Sequence, residues 1–241
     1  MKRLSYLVII LALTCTGIST AQAQNVDDIL ASYFEITGGL SNWKNLKSMK
    51  MTGKMLQGGL EFPATMSQKY PNKFRMDIDI QGKKIIQAYD GKEGWMINPL
   101  AQITEPKVLT AEEVKEMEDN QMEDEFIDYK SKGHAVALDG EENIEGTDCF
   151  KVKLTKKSGD IEYHFFDKDN NVPIMVRTFA KTGPTEGQPV ETFMSDYDAV
   201  GDFMLPFSMT TKFQGQTVMQ IVVDSYDLNA TLDDSVFALP K

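Results

Sequence analysis

Apolar residues recur at two spacings along this chain, and each spacing predicts one kind of element. Between positions 26 and 35 they repeat at helical spacing, with two aspartates at the start and Gly38-Gly39 at the end, which predicts an amphipathic helix. From Lys47 onward, apolar and polar residues alternate, and turns such as Gly58-Gly59 and Gln81-Gly82 separate the runs. This alternation predicts an antiparallel sheet with one apolar face.

The second half of the chain continues the strand pattern. Residues 150–154 and 203–213 alternate cleanly, and in 161–166 the apolar positions oppose Glu162 and His164. About ten strands joined by short turns, with no βαβ rhythm, predict one large and strongly curved antiparallel sheet. Because no linker or composition break divides the chain, we predict a single domain.

A second helix is predicted between the two runs of strands. Thr110 and Glu113 have the spacing of a capping box, and Gly133 follows the pattern, so the helix is expected to run to about Lys132. The side of this helix that lies opposite its apolar residues is rich in Glu and Asp, and it is interpreted as a solvated face. Its apolar stripe consists of Val114, Met117, Met122, Phe126 and Tyr129.

The first 23 residues have the pattern of a secretory signal peptide. A basic start is followed by the apolar run Leu4–Leu13 and by Ala21-Gln22-Ala23, so cleavage is expected after Ala23. Residues 24–241 then form the mature domain. Cys15 as a lipid-modified first residue is the weaker alternative, because Thr precedes it. No later stretch is apolar enough to predict a membrane-spanning helix.

Composition narrows the classes of function. The chain of 241 residues has 25 Lys and Arg against 36 Asp and Glu, a net charge of −11, so no nucleic-acid partner is expected. With two His and two Cys, a His/Cys zinc site is also not expected. Cys149 is the only cysteine of the predicted mature chain, and its strand position predicts a buried thiol.

Candidate chemistry is sparse in this sequence. No G-x-S-x-G motif is present, and His134 and His164 lie in strand patterns without a neighbouring nucleophile, so both are interpreted as surface or rim residues. The segment 167–171 has the first aspartates of a calcium loop but not its glycine, and is interpreted as a hairpin turn. We therefore predict a protein that is not an enzyme and has no metal or other cofactor.

Methionine is unusually frequent, with 14 residues, most of them in strand patterns. Flexible and polarizable Met side chains suit a surface that accepts several apolar shapes. They also fill gaps in ordinary cores, and the pattern alone leaves both interpretations open.

Three segments carry a resemblance to a known family. They are Pro71-Asn72-Lys73-Phe74-Arg75, the stretch Asp90–Pro99 (DGKEGWMINP), and the ending Asp233–Pro240 (DDSVFALP). In this order they resemble the signature of LolA-type periplasmic lipoprotein carriers. The resemblance implies a mainly β, α+β fold, an unclosed β-barrel whose concave apolar face is covered by helices.

The resemblance also implies a function. Carriers of this type are periplasmic. They take the acyl chains of lipoproteins from an inner-membrane export complex to an outer-membrane acceptor, so contact with membranes would be transient. The expected ligand is therefore a lipoprotein acyl chain or another lipid.

Candidate binding residues follow from this resemblance. Tyr70 stands where family carriers have the Arg that helps to hold the lid closed, so a hydroxyl would replace a charge-assisted hydrogen bond. The groove is expected to be lined by Phe62, Met66, Phe74, Met76, Ile78, Tyr89, Trp95, Phe207 and Met209. The lid is expected to comprise Tyr70, Val114, Met117, Met122 and Phe126.

Two alternatives remain at this point. The same fold also serves periplasmic regulators that sense lipids or lipoproteins by binding a partner protein, in which case the acidic helix would be the docking face. An enzyme acting on envelope glycolipid is less favoured, because no catalytic set is present.

Overall fold

A computed structural model of the chain describes residues 25–115, 117 and 122–240, so the predicted signal peptide lies outside the described residues. Three short 3₁₀ turns, Pro99–Ala101, Gly183–Thr185 and Asp234–Val236, accompany the regular elements. The helices are α1 (Val26–Ile36), α2 (Leu40–Asn45) and α3 (Ala111–Lys115). The strands are β1 (Ser48–Gln57), β2 (Leu60–Lys69), β3 (Lys73–Ile80), β4 (Lys83–Tyr89), β5 (Gly94–Asn98), β6 (Ile103–Val108), β7 (Ala135–Ile144), β8 (Thr147–Thr155), β9 (Ile161–Asp167), β10 (Pro173–Phe179), β11 (Pro189–Val200), β12 (Phe203–Phe213) and β13 (Gln216–Leu228).

The 13 described strands form one antiparallel sheet. Its order is β6-β5-β4-β3-β2-β1-β13-β12-β11-β10-β9-β8-β7, so two meanders of six and seven strands join where β1 pairs with β13. The sheet does not close, because β6 and β7 are left as its two edges. The expected unclosed barrel is confirmed, with 13 strands in place of about ten.

One face of this sheet, called the inner face here, packs against α1 and the connection between β6 and β7. The half of this face formed by β1, β2, β3, β12 and β13 is called the first half. In it, Met66 lies opposite Met51 on β1 and Met76 on β3, and Met209 on β12 lies opposite Ile221 on β13. These side chains belong to one apolar cluster, and Met51 and Ile221 are buried in it. The alternation in the sequence therefore predicted this half of the inner face correctly.

Helix α1 covers the other half of the inner face. Asn25 caps its first turn, and Ile29, Leu30, Tyr33 and Phe34 are buried against β8 and β9. The helix ends at Ile36. Gly38 follows with φ +123°, and a Cβ atom there would lie 2.5 Å from the carbonyl oxygen of Asp202. Glycine is thus required by both conformation and space.

The connection between β6 and β7 has to cross the open side of the barrel, since it joins the two edge strands. We call it the crossing segment; its described residues are 109–115, 117 and 122–134. The predicted capping box is confirmed, because Thr110 and Glu113 exchange hydrogen bonds of 2.7 and 3.3 Å. The long helix predicted for residues 110–132 is wrong, since among the segment's described residues only Ala111–Lys115 is helical and residues 125–133 form turns.

Two aspartates account for the turns. The Asp124 carboxylate accepts a hydrogen bond from the backbone N–H of Phe126 at 2.8 Å, a local bond that competes with helix formation. Asp128 has φ +50°, in the left-handed region that a helix interior excludes. The acidic residues therefore do more than solvate one face of a helix.

The segments that carried the family resemblance are structural. Asp90 Oδ1 accepts hydrogen bonds from the backbone N–H groups of Lys92 and Glu93, both at 2.8 Å, and so closes the β4–β5 turn. On the outer face of the sheet, Trp95 Nε1 donates to the carbonyl oxygen of Phe237 at 2.8 Å, and both residues are buried. The C-terminal segment is thereby fixed to the outside of the sheet.

Cys149 is fully buried on the outer face, as expected, and burial raises the pKa of its thiol to about 11. The turn after β9 is also confirmed, since Asp167 accepts hydrogen bonds from the backbone of Asp169 and Asn170. Within the described residues, every helix is too short or too polar to cross a membrane.

Candidate functional site

A cavity of about 550 Å³ lies beneath the second half of the crossing segment. Its roof is formed by residues 122–126, its end by Tyr33 of α1 and Trp43 of α2, and its floor by strands β9, β10 and β11. Its volume lies within the range typical of small-molecule sites. The floor residues are Ile161, Glu162, His164, Pro173, Val176, Thr178, Phe179, Thr192 and Met194.

One wall of the cavity is aromatic. The ring of Phe126 meets the ring of Tyr33 edge to face at 6.5 Å and the ring of His164 at 4.7 Å. Trp43 stands against Phe203 at 5.1 Å, and its Nε1 donates to Thr37. These fixed rings provide apolar surface without further ordering.

A largely buried chain of charged groups lies beside these rings. Lys156 Nζ lies 2.8 Å from Glu125 Oε1 and 2.6 Å from Glu162 Oε1, and Glu162 Oε2 lies 3.2 Å from His164 Nε2. The four side chains are between 7 and 18% exposed. Such groups strongly constrain the site, because a buried charge is costly unless it is paired.

One lysine cannot balance two carboxylates in this position. Burial alone would raise the pKa of Glu162, but the contacts with His164 and Lys156 lower it to about 2. For Glu125, burial and the neighbouring Glu162 raise the pKa, with Lys156 acting against them. Glu125 Oε2 is buried and has no hydrogen-bond partner among the described residues. The unsatisfied acceptor of this group is therefore Glu125 Oε2.

Asp124 joins the crossing segment to α1. Its Oδ2 accepts a hydrogen bond of 2.6 Å from the Tyr33 hydroxyl. Burial raises the pKa of Asp124, and the hydrogen bonds from Tyr33 and from the Phe126 N–H oppose that rise. Lys132 supports the same turn through a 2.7 Å ion pair with Glu123. The roof of the cavity is thus held by polar contacts.

Four of the five predicted lid residues are buried against the inner face. Val114 and Met117 are buried against Phe74 and Tyr89, while Met122 packs in a separate cluster. Phe126 is buried against α1 and β9. All of them cover the inner face although the predicted helix is absent.

Tyr70 does not belong to this cover. It is 44% exposed, and its ring lies 4.4 Å from Lys47 Nζ. The next residue makes the contact instead, since the Pro71 carbonyl accepts a 3.4 Å hydrogen bond from the Met122 N–H. Within the described part of the crossing segment, no hydrogen bond from the Tyr70 hydroxyl takes the place of the family Arg.

The predicted groove residues divide between the two faces. Trp95 was assigned to the groove and lies on the outer face, because its neighbours Gly94 and Met96 face inward. Phe74 and Tyr89 are buried beneath Val114 and Met117. The others lie in the apolar cluster of the first half of the inner face, namely Phe62, Met66, Met76, Ile78, Phe207 and Met209.

None of these groove residues lines the 550 Å³ cavity, which sequence reasoning missed apart from Met122 and Phe126. His164, interpreted as a surface or rim residue, is half-buried in the cavity beside Phe126 and lies 3.2 Å from Glu162. The available signal was the alternation in 161–166, where Glu162 and His164 share one face. Polar residues on one side of a strand normally indicate solvent, so this alternation did not point to a cavity.

Within the described residues, no group of three or more His, Cys, Asp or Glu side chains has the arrangement of a metal site. A second depression of about 420 Å³ shares Asp160, Phe179 and Lys181 with the cavity. It extends the cavity toward solvent along the loops that follow β8 and β10. The geometry suits binding of an amphiphilic molecule with an apolar part and a polar end.

Comparisons with known proteins agree with the fold. No protein-family model matches the sequence, and no curated protein is significantly similar to it. Among solved structures, the chain resembles a LolA superfamily protein from Nitrosomonas europaea, with a TM-score of 0.57 and 13% identity over 90% of this chain and 98% of that one.

Two further solved structures are similar. A domain from Vibrio parahaemolyticus, described as outer-membrane lipoprotein-sorting, matches with a TM-score of 0.56 and 10% identity over 87% of this chain and 94% of that one. A DUF1329 family protein from Desulfovibrio piger matches with a TM-score of 0.56 and 15% identity over 87% of this chain and 97% of that one. With its open 13-stranded sheet and crossing segment, this chain has a LolA-like fold.

Proposed function

We propose that this protein is a periplasmic carrier that binds acyl chains, of lipoproteins or of a related lipid, beneath its crossing segment. The proposal includes the predicted signal peptide, transfer toward the outer membrane, and the absence of catalysis. The observation that carries it is the 550 Å³ cavity roofed by residues 122–126. The LolA-like fold supports it, since a solved neighbour is described as lipoprotein-sorting.

The topology explains how such a cavity can open. The crossing segment is tied covalently only at β6 and β7, the two free edges of the sheet, so it can move without breaking a strand pair. Segments with few backbone bonds to the rest of a protein open at lower free energy than the sheet itself. An acyl chain could then replace the apolar side chains that the cover buries.

The energies of cover and ligand are comparable. Burial of a 16-carbon chain would contribute about 12 kcal/mol, at about 0.8 kcal/mol for each CH₂ group. Returning the four buried cover residues to water would cost about 6–12 kcal/mol, at about 1.5–3 kcal/mol each. Their near balance would allow both uptake and release, as transfer requires. The four residues are Val114, Met117, Met122 and Phe126.

A variant that fills the cavity tests the proposal. Thr178 lines the floor on β10, and Thr178→Trp should weaken binding of the neutral probe N-phenyl-1-naphthylamine about tenfold or more, because the added ring occupies ligand space. Thr65 is the matched control, since it is also a half-buried strand threonine but faces outward beside Asp77. Thr65→Trp should leave probe binding unchanged.

Equal probe binding by both variants would contradict a site in this cavity. Native mass spectrometry of the purified full-length protein provides a second measurement, in which a bound acyl species is expected and is expected to be lost in Thr178→Trp. If neither an acyl species nor probe binding is found in the unmodified protein, the carrier proposal fails.

Carrying and sensing differ in the release step. A carrier loaded with a fluorescent lipid should pass it to acceptor vesicles at a rate that rises with the vesicle concentration. Retention of the lipid together with specific capture of a membrane-anchored protein would favour the sensing alternative.

A further inference from the structure

The cavity is lined by charged side chains that a purely hydrocarbon ligand would not need. Lys181 is its only lining lysine among the described residues, whereas five carboxylates line it. Lys132 and Lys156 pair with some of these carboxylates from outside the cavity, and His164 contacts Glu162, so five acids face three lysines and one imidazole. The acids are Glu123, Asp124, Glu125, Asp160 and Glu162.

Most of these carboxylates have defined partners, and one oxygen does not. Glu123 pairs with Lys132, Asp160 with Lys181, and Asp124 accepts from Tyr33. Glu125 uses Oε1 for Lys156, while its Oε2 is buried without a partner among the described residues. A buried carboxylate oxygen of this kind favours a hydrogen-bond donor that carries positive charge.

The aromatic wall adds an independent attraction for a cation. Tyr33, Trp43, Phe126 and Phe179 all line the same cavity, with Phe126 next to Glu125 in the chain. Aromatic faces attract ammonium and guanidinium groups, most strongly where water is excluded. Carboxylates and aromatic rings around one space therefore favour a cation joined to an apolar chain.

We propose that the cavity binds the primary ammonium group of an amphiphile, with Glu125 as its hydrogen-bond acceptor and the hydrocarbon chain along the aromatic wall. This inference rests on the proposed lipid-binding function and specifies the chemistry of the ligand. Glu125 lines the cavity, and a primary ammonium placed against its carboxylate donates the hydrogen bond that the shielded Oε2 lacks, whereas a quaternary ammonium has no N–H to donate. A fatty-acid carboxylate would add to the negative charge.

Two sources could supply this chemistry in the periplasm. One is the amine of an aminophospholipid headgroup, and the other is the free amino terminus of an acylated peptide. Both place a primary ammonium within a few bonds of acyl chains. Vesicle-free short-chain phosphatidylethanolamine and an S-acylated peptide with and without an acetylated amino terminus distinguish the two.

The first test uses matched single-chain ligands and the full-length protein at pH 7. Dodecylamine, dodecanol and dodecyltrimethylammonium have the same chain, and each is titrated against bound N-phenyl-1-naphthylamine. We expect dodecylamine to displace the probe at a concentration about tenfold lower than dodecanol, because a hydrogen bond to a buried charge is gained. The quaternary amine should be intermediate, with the aromatic contribution alone.

Variants locate the effect at one side chain. Glu125→Gln keeps the shape of the side chain and removes its charge, so the preference for dodecylamine over dodecanol should fall to about threefold or less. Glu112→Gln is the control, since Glu112 is an exposed carboxylate on α3 outside the cavity lining. It should retain the full preference. Circular dichroism checks that both variants are folded.

The outcomes separate this inference from the function on which it rests. If dodecanol and dodecylamine displace the probe equally in the unmodified protein, the ammonium site is refuted while lipid binding stands. An unchanged preference in Glu125→Gln refutes the role of Glu125. If no single-chain ligand displaces the probe, the proposed function itself is refuted.

Discussion

The two ends of the crossing segment cover the same face by different means. At the first end, Val114 and Met117 pack on Phe74 and Tyr89, and the contact is apolar. A Cβ atom at Gly94 would lie 3.0 Å from Val114 Cγ2, so that end sits directly on the sheet. At the second end, residues 122–126 roof a cavity of about 550 Å³ and are held by ion pairs and hydrogen bonds.

The difference indicates separate roles for the two ends. Apolar packing is insensitive to pH and to charge, and it returns whenever the surfaces meet again. Buried polar contacts depend on protonation and on which charged group is present. We therefore interpret residues 109–115 and 117 as the attachment of the cover, and residues 122–132 as the part that responds to ligand.

The largest expected effect is at the second end. Phe126→Asp would place a charge among Tyr33, His164 and Phe166, beside the acidic side chains of the cavity. A buried Phe→Ala substitution typically costs about 3–5 kcal/mol, and the free energy of unfolding should fall by more than this for Phe126→Asp. Displacement of the probe by dodecanol should also weaken. Val108→Asp on edge strand β6 is the control, because Val108 is 44% exposed. Unchanged displacement would place the binding surface elsewhere.

A substitution at the first end should separate stability from binding. Met117 is 2% exposed, so Met117→Ala should lower the free energy of unfolding by about 2–5 kcal/mol through the cavity that it leaves. Hydrogen exchange should accelerate in residues 111–115, while the preference for dodecylamine stays. Met219 is partly buried on the same face and serves as the control, with a smaller loss expected for Met219→Ala. A lost ligand preference would mean that the two ends act as one.

The pH dependence of stability should belong to the second end. Since the pKa of Glu162 is lowered to about 2 from 4.5, its stabilising contribution is present above pH 4.5 and is lost as the pH falls toward 2. The groups facing it are Lys156, Glu125 and His164, and the raised pKa of Glu125 acts in the opposite direction. Glu162→Gln should remove on the order of 2 kcal/mol of acid-induced destabilisation in urea titrations. If the free energy of unfolding of Glu162→Gln fell as steeply with decreasing pH as that of the unmodified protein, the prediction would be contradicted.

The same comparison shows what the sequence could predict. In the first half, the Met-rich strands alternate over a long run and only their inner side is apolar, so the face was assigned correctly. On β9 the pattern was ambiguous, because Phe165 is buried on the outer face and Phe166 on the inner face. Arg177 lies 4.9 Å over the Phe165 ring and covers it from outside. Periodicity cannot indicate the inner face of such a strand.

The site was missed for a related reason. Sequence spacing predicted the helix start at Thr110 but not the turn at Asp124, where one carboxylate oxygen accepts from the local Phe126 N–H and the other from Tyr33, a residue distant in sequence. Pairing of Lys156 with Glu125 and Glu162 likewise arises only when the crossing segment meets β9. Local propensity contains no information about such contacts.

The two tryptophans provide the smallest and most specific test of the comparison. Trp95 lies on the outer face and donates to Phe237, so Trp95→Phe should cost about 1–3 kcal/mol of stability and leave ligand binding unchanged. Trp43 lines the cavity, and after this substitution it is the only tryptophan, so its fluorescence should change on addition of dodecylamine. In the matched variant Trp43→Phe, the remaining Trp95 should not respond. A response from Trp95 alone would mean that the ligand binds the outer face and not the cavity. It would then also contradict the interpretation that residues 122–132, the polar end of the cover, respond to the ligand.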